Sequence, residues 1–292
     1  MKITRTTHAG QPAVSVEAKG TIWTYQLDAG AFSSLRDPDG EEWIGFAPGE
    51  PRAPAGAANV FRGIPNLVFP ENVGHPGYAT CESEVVDAGD AVLISTESRD
   101  GDWAWQWELH PDRTHFKVLR VPPDRPYWFL YEGTPAGRFE PEAGFWGSDS
   151  EGARQTAPDI FGEAQRLPTP APAGRSSGAQ PQPVNSDASH RDASGDAPGS
   201  VSGAVIGPRR WAYFGHRASP RVLLLVHETA SCEPSFFAYM RANDTDGMVV
   251  FGFGRDHGDR PRATLEGAHE FTVRFVESRD HEEIARTVEQ DR

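Results

Sequence analysis

The sequence predicts a mainly β protein, a large antiparallel sandwich with one disordered surface loop and a short C-terminal helix. Three observations carry this. Alternating apolar segments of strand length recur about every 8–12 residues, the rhythm of an all-β sandwich. Between them no stretch sustains the helical period that crossovers of a parallel sheet would need. The same rhythm also stands on both sides of one strongly polar break, residues 165–204.

The strands are expected in order at 13–17, 21–27 and 31–36, set apart by Lys19-Gly20 and Ala29-Gly30. Asp37-Pro38-Asp39-Gly40 is a turn, because Pro presets φ early and Gly accepts the left-handed conformation later. A strand resumes at 43–46, and the Pro/Gly/Ala-rich residues 48–58 form a loop. Segment 61–69 is apolar and runs into a polar Gly/Pro loop, 70–78. Strands follow at 81–87, 91–98, 103–110, 115–121 and 127–132. The third and fourth of these form a hairpin around Pro111-Asp112-Arg113. Trp103, Trp105 and Trp107 fall on one face of their strand, since side chains alternate sides, and that face is read as core.

Residues 165–204 are Pro, Ala, Ser, Gly, Gln and Asp, too poor in apolar area to offset ordering entropy. Strands return at 211–215, 221–227, 248–253 and 270–277, and Asp280 with Glu283 caps a terminal helix. The part after the break offers about four strands, too few to close its own sandwich. The chain is therefore read as a single domain, 1–292, interrupted at 165–204.

Composition narrows the function. Hydrophobic residues make up 37%, counted without Gly, against about 45–50% with it in ordinary globular chains. The shortfall is concentrated in the polar break. A formal net charge of -14 and a pI near 5.1 would repel a phosphate backbone, so nucleic acid is not the expected partner. No run approaches the ~20 apolar residues that span a bilayer, and residues 1–20 lack the apolar region of a secretory signal, so a cytoplasmic location is expected. Two cysteines, Cys81 and Cys232, are too few to read as a disulfide framework or a metal site from sequence. His227-Glu228, Asp256-His257 and Asp280-His281 are adjacent pairs whose members point to opposite faces of a strand, so no metal is expected. No P-loop or dinucleotide fingerprint is present, and no cofactor is expected. Gly252-Phe253-Gly254-Arg255 lacks the third glycine and the helix of a phosphate cradle.

The segments that carry chemistry are Phe61-Arg62-Gly63-Ile64-Pro65-Asn66 and His75-Pro76-Gly77-Tyr78-Ala79, where apolar strands give way to loops. Arg62 offers a planar fork of donors for a carboxylate, a phosphate or vicinal hydroxyls. His75 can donate or accept a proton near neutral pH. The competing reading is an internal ion pair for Arg62 and a turn cap for His75.

The Arg-Gly-Ile-Pro run with a later His-x-Gly-aromatic element resembles the aldose 1-epimerase superfamily, nearest to its hexose-6-phosphate branch. The resemblance implies the galactose mutarotase-like supersandwich and ring opening by a Glu base and a His acid. It places Arg62 and His75 against the sugar, with Asn66 and Tyr78 from the same motifs. A second match is Val222-Leu223-Leu224-Leu225-Val226-His227-Glu228, followed by Pro234. It maps the base onto Glu228, where a carboxylate would take the anomeric proton. The competing reading is a solvated strand-end Glu. The family's acid lies on a middle strand, where this chain has no His, and Glu132 is the occupant. Two carboxylates would also suit glycoside hydrolysis, depending on their separation. His75, Arg62 and a Tyr would suit lyase chemistry on a uronic acid. A sugar-binding domain without catalysis is the reading from another class. Trp146 and Tyr239, in loop-like contexts, are the expected stacking platforms. His227 and Arg255, at the ends of late strands, complete the candidate substrate-binding set.

Overall fold

The computed structural model describes residues 1–45, 62–67, 74, 80–138, 140, 142–150, 152–155, 209–229, 234–239, 248–254 and 263–291, with backbone alone for 135, 153–155 and 234–239. The strands in chain order begin with β1 (Lys2–His8), β2 (Gln11–Ala18), β3 (Thr21–Gln26), β4 (Ala31–Arg36), β5 (Gly63–Asn66) and β6 (Cys81–Asp87). Then come β7 (Val92–Ser98), β8 (Ala104–Leu109), β9 (Thr114–Arg120), β10 (Phe129–Gly133), β11 (Gly144–Ser148) and β12 (Gly152–Gln155). After the break follow β13 (Arg210–His216), β14 (Val222–His227), β15 (Pro234–Tyr239), β16 (Met248–Phe253), β17 (Glu270–Val276) and helix α1 (His281–Gln290).

They build two antiparallel sheets. One runs β1-β2-β3-β4-β5-β10-β16-β15, and the other β12-β11-β13-β14-β17-β9-β8-β7-β6. Strands on the two sides of the break pair directly: β13 with β11, β17 with β9, β16 with β10. This is the mainly β two-sheet sandwich expected. The disordered stretch expected at 165–204 lies outside the described residues.

The core forms because alternation presents one apolar row from each strand to the opposing sheet. Trp103, Trp105 and Trp107 are all fully buried, as expected of that stripe. Phe129 of one sheet stacks on Phe271 of the other, centroids 4.0 Å apart and planes at 8°. Trp105 Nε1 donates to the hydroxyl of Tyr25 and to the carbonyl of Gly30, each at 3.2 Å, so its polar edge is satisfied within the core. Gly30 has φ +69, and a Cβ there would lie 2.5 Å from Trp105 Cζ2. Only glycine fits. The turn at Asp37 also forms: Gly40 N–H donates to Asp37 O at 2.9 Å with Gly40 at φ +85. Arg221 reaches across from β14 to Asp37 at 3.6 Å, to Glu277 at 2.5 Å and to Asp39, tying the sheets at one end.

Helix α1 lies on the outer face of the nine-stranded sheet. Its Ile284 and Val288 pack on Val222, Leu224 and Val226. Asp280 caps it, its side chain accepting from Glu283 N–H at 3.0 Å.

Several expectations need correction. Of the strand expected at 43–46, the described residues 43–45 form none: Trp43 instead donates its indole N–H to Asp37 Oδ2 at 3.1 Å, and Glu42 bridges to Arg36. Trp146 is not in a loop but on β11, 6% exposed within the core cluster, because alternation turns it to the inner face of its sheet. Four strands went unforeseen. β1 is polar apart from Ile3, β11 and β12 are glycine-punctuated, and β15 itself opens on Pro234.

Candidate functional site

On β10, Phe129 and Tyr131 enter the core, so Leu130 and Glu132 face outward from the eight-stranded sheet. Leu130 clusters there with Met248 and Val250 of β16, and the half-buried Trp128 packs beside them. Trp128, Leu130 and Glu132 thus line one row, about 13 Å long at the strand rise.

Glu132 is 3% exposed. Its Oε1 accepts from Nδ2 of Asn66 at 2.5 Å. The neighbour strand explains how Asn66 arrives. Leu130 pairs with Asn66 and Glu132 with Gly63, so three steps on β5 answer two on β10. The extra residue is a bulge, and a bulge re-aims side chains. In a regular strand Asn66 would share a face with Ile64, which sits in the core; here its carboxamide reaches the outward carboxylate. Asn66 is 1% exposed, and its Oδ1 is buried with no hydrogen-bond donor among the described residues.

Arg62, 6% exposed, directly precedes β5. Its Nη1 donates to Thr134 Oγ1 at 2.5 Å and to Gly45 O at 3.3 Å. Thr134 stands two residues beyond Glu132, about 7 Å along the chain. The turn that offers Gly45 is fixed by Glu42, whose Oε1 accepts from the N–H groups of Leu35, Ile44 and Gly45 at 2.9, 2.9 and 3.3 Å. Thr134 and Glu42 were not foreseen. Thr134 was readable from its two-residue offset to Glu132, whereas Glu42 acts only through a turn that the strand pattern hides.

The structure brings Asn66 to Glu132 and anchors Arg62 on Thr134, two residues further along, and it does not bring Glu228 to them. His227 points into the core, its ring 4.6 Å from that of Phe271, and so Glu228 points the other way, out of the nine-stranded sheet. There Arg209 Nε meets Glu228 Oε2 at 2.6 Å, Thr272 Oγ1 donates to Oε1 at 2.6 Å, and His115 Nε2 lies 3.9 Å away. The double-layered core separates this carboxylate from Glu132. His227 Nε2 shares a hydrogen bond with His269 Nδ1 at 3.0 Å, while His269 Nε2–H donates to Glu266 O at 3.0 Å. Burial, with the neighbouring His269, pushes the His227 imidazole down to about 3. It is a neutral core group and has no surface to offer a substrate. His75, Tyr78 and Arg255 lie outside the described residues, and Tyr239 is described only as backbone on β15. Among the described residues no group of three or more His, Cys, Asp or Glu side chains could hold a metal ion.

Tyr131, the tyrosine nearest in sequence to Glu132, is on the core face and donates its hydroxyl to Trp43 O. Burial pushes its phenol well above the usual range. It cannot serve as the tyrosine of a lyase site on the Glu132 face.

Comparison with solved structures finds this fold in the protein HI1317, at TM-score 0.51 and 10% identity, over 94% of this chain and 100% of that one. A galactose mutarotase related enzyme from Lactobacillus acidophilus aligns at TM-score 0.44 and 10% identity, over 92% and 99% of the two chains. A Salmonella typhimurium protein assigned as a mutarotase aligns at 0.49 and 8%, over 94% and 93%. No family model matches the chain, and no curated protein matches it in sequence. At these identities the likeness is one of fold.

Proposed function

We propose that the chain is a carbohydrate-active enzyme that exchanges protons with a sugar held on the outer face of the eight-stranded sheet. Glu132 is the proton carrier, and Arg62 and Asn66 hold the sugar's oxygens. One observation carries the reading: a carboxylate buried on an interior strand and supported by a buried carboxamide. Burying a carboxylate is unfavourable, and the hydrocarbon of Leu130 and Val250 on the same face would seal the sheet at no such cost.

The most concrete reaction is interconversion of aldose anomers. A base takes the anomeric hydroxyl proton, the ring oxygen is protonated, and the bond between the ring oxygen and the anomeric carbon breaks while the deprotonated oxygen becomes the aldehyde carbonyl. Rotation and reclosure then give the other anomer. Glu132 occupies the middle-strand position where the resemblance places a proton-transfer group, and His75 remains the sequence's candidate for its partner. Arg62 donates to ring hydroxyls or to a 6-phosphate, a planar fork being suited to both.

Polarimetry or exchange NMR on fresh single anomers of hexoses and hexose 6-phosphates tests this. The parent should speed equilibration, and Glu132→Gln should lose about 10²–10⁴-fold, the usual cost of a general acid–base group. Equal rates in parent and variant would remove Glu132 from the reaction. Binding without exchange would make this a sugar-binding module, and unsaturated products absorbing in the near ultraviolet would make it a lyase.

A further inference from the structure

We propose that Asn66 is the specificity-determining residue of this site: its Nδ2 holds Glu132 while its Oδ1 accepts a hydrogen bond from one hydroxyl of the bound sugar. The inference rests on the reading of Glu132 as the proton carrier.

Two independent features lead to it. The first is the β5 bulge, which spends an extra residue to turn a polar side chain out of the core and onto the carboxylate. The second is the carboxamide's other arm. Asn66 Oδ1 is buried with no donor among the described residues, although a carbonyl oxygen can accept two bonds. The reversed amide would set Oδ1 against a carboxylate oxygen at 2.5 Å, so the orientation follows from the pairing itself.

An unfilled buried acceptor beside a proton-transfer group discriminates strongly. A hydroxyl that donates to it restores a full set of hydrogen bonds, and a ligand lacking that hydroxyl leaves the oxygen desolvated and unpaired. Donation to Oδ1 also polarises the amide, strengthening its bond to Glu132. The same contact therefore selects the sugar and orients the carboxylate. Fluorine in place of the hydroxyl keeps the size but cannot donate, so a deoxyfluoro sugar isolates this term.

The experiment is a scan of singly deoxyfluorinated hexoses in the anomer-exchange assay, with the parent, Asn66→Leu and Asn66→Asp, each checked for folding by thermal melting. Asn66→Ala replaces the leucine variant if that one does not fold. At one ring position the parent should lose about 100-fold or more in kcat/KM, the scale for a site built to bind a hydroxyl. Asn66→Leu should be slower on the natural sugar and distinguish the two by less than about threefold, since the unpaired acceptor is gone. Asn66→Asp keeps an acceptor and should keep the discrimination, with a shifted pH profile from two neighbouring carboxylates. If the parent exchanges anomers through Glu132 but discriminates at no position, or the leucine variant discriminates as strongly, the role of Asn66 is overturned and that of Glu132 stands. If the folded parent neither binds nor exchanges any sugar, both fall.

Discussion

Arg209 Nε meets Glu228 Oε2 at 2.6 Å, and the other nitrogens of the same guanidinium donate to Val288 O at 3.2 Å and Asp291 O at 3.1 Å. Those carbonyls belong to the end of α1, which no intrahelical N–H can reach. Glu228 thus holds the cation that caps the helix, and Thr272 holds Glu228. The pair is a structural clamp on the outer face of the nine-stranded sheet.

Glu228→Gln should therefore leave anomer exchange intact and lower stability. The loss of one charged partner from a largely buried pair is expected to cost about 1–3 kcal/mol. Urea unfolding measures it, and hydrogen exchange should show faster opening of α1. A loss of turnover at unchanged stability would return Glu228 to the active site.

Acid should destabilise the fold through His227. Its folded-state value is pushed down to about 3 by burial, against 6.5 in an unfolded chain. The unfolded state therefore binds a proton that the folded state refuses. The contribution is complete above pH 6.5 and is lost as pH falls toward 3, at about 1.4 kcal/mol per pH unit for one site. Burial also pushes His8, His115, His216 and His269 down, which adds the same sign. His227→Phe keeps the ring against Phe271 and should flatten the dependence between pH 4 and 6 by about one proton. Chemical denaturation at stepped pH checks this, and an unchanged slope would contradict it.

Gly30→Ala should cost about 2–4 kcal/mol, since it combines a left-handed backbone with a clash on a buried indole. Trp105 would have to move from Tyr25 and Gly30, and both of its hydrogen bonds would go with it. A thermal melt within a degree or two of the parent would show that the core there can yield.

A protease recognition site inserted between residues 165 and 204 should be cut without separating the halves. The β13–β11, β17–β9 and β16–β10 pairings cross that break, so each fragment supplies strands to both sheets or their core. Gel filtration after cleavage should show one species. Two separating fragments, each melting cooperatively, would mean two domains.

Much of the fold was readable because local chemistry decides it. Alternation in Cys81–Asp87 or Gly-marked turns such as 37–40 depends only on neighbours along the chain, and so did the stripe of Trp103, Trp105 and Trp107. Mostly polar β1 and glycine-punctuated β11 escaped, because only pairing with β2 and β13 makes them strands.

The site divides in the same way. Parity alone says that His227 and Glu228 face opposite sides, and that Trp128, Leu130 and Glu132 share one. Which side is core is decided when two sheets and α1 pack, and that packing turned Glu228 toward Arg209 and away from Arg62. A bulge placed Asn66 against Glu132, and a bulge exists only relative to a partner strand. The sequence by itself determined the strands with clear alternation and the presence of Arg62, Asn66 and Glu132. Only the tertiary structure decided that Asn66 meets Glu132 and that Arg62 meets Thr134, because a side chain's face is local whereas its company depends on contacts between residues far apart in the chain.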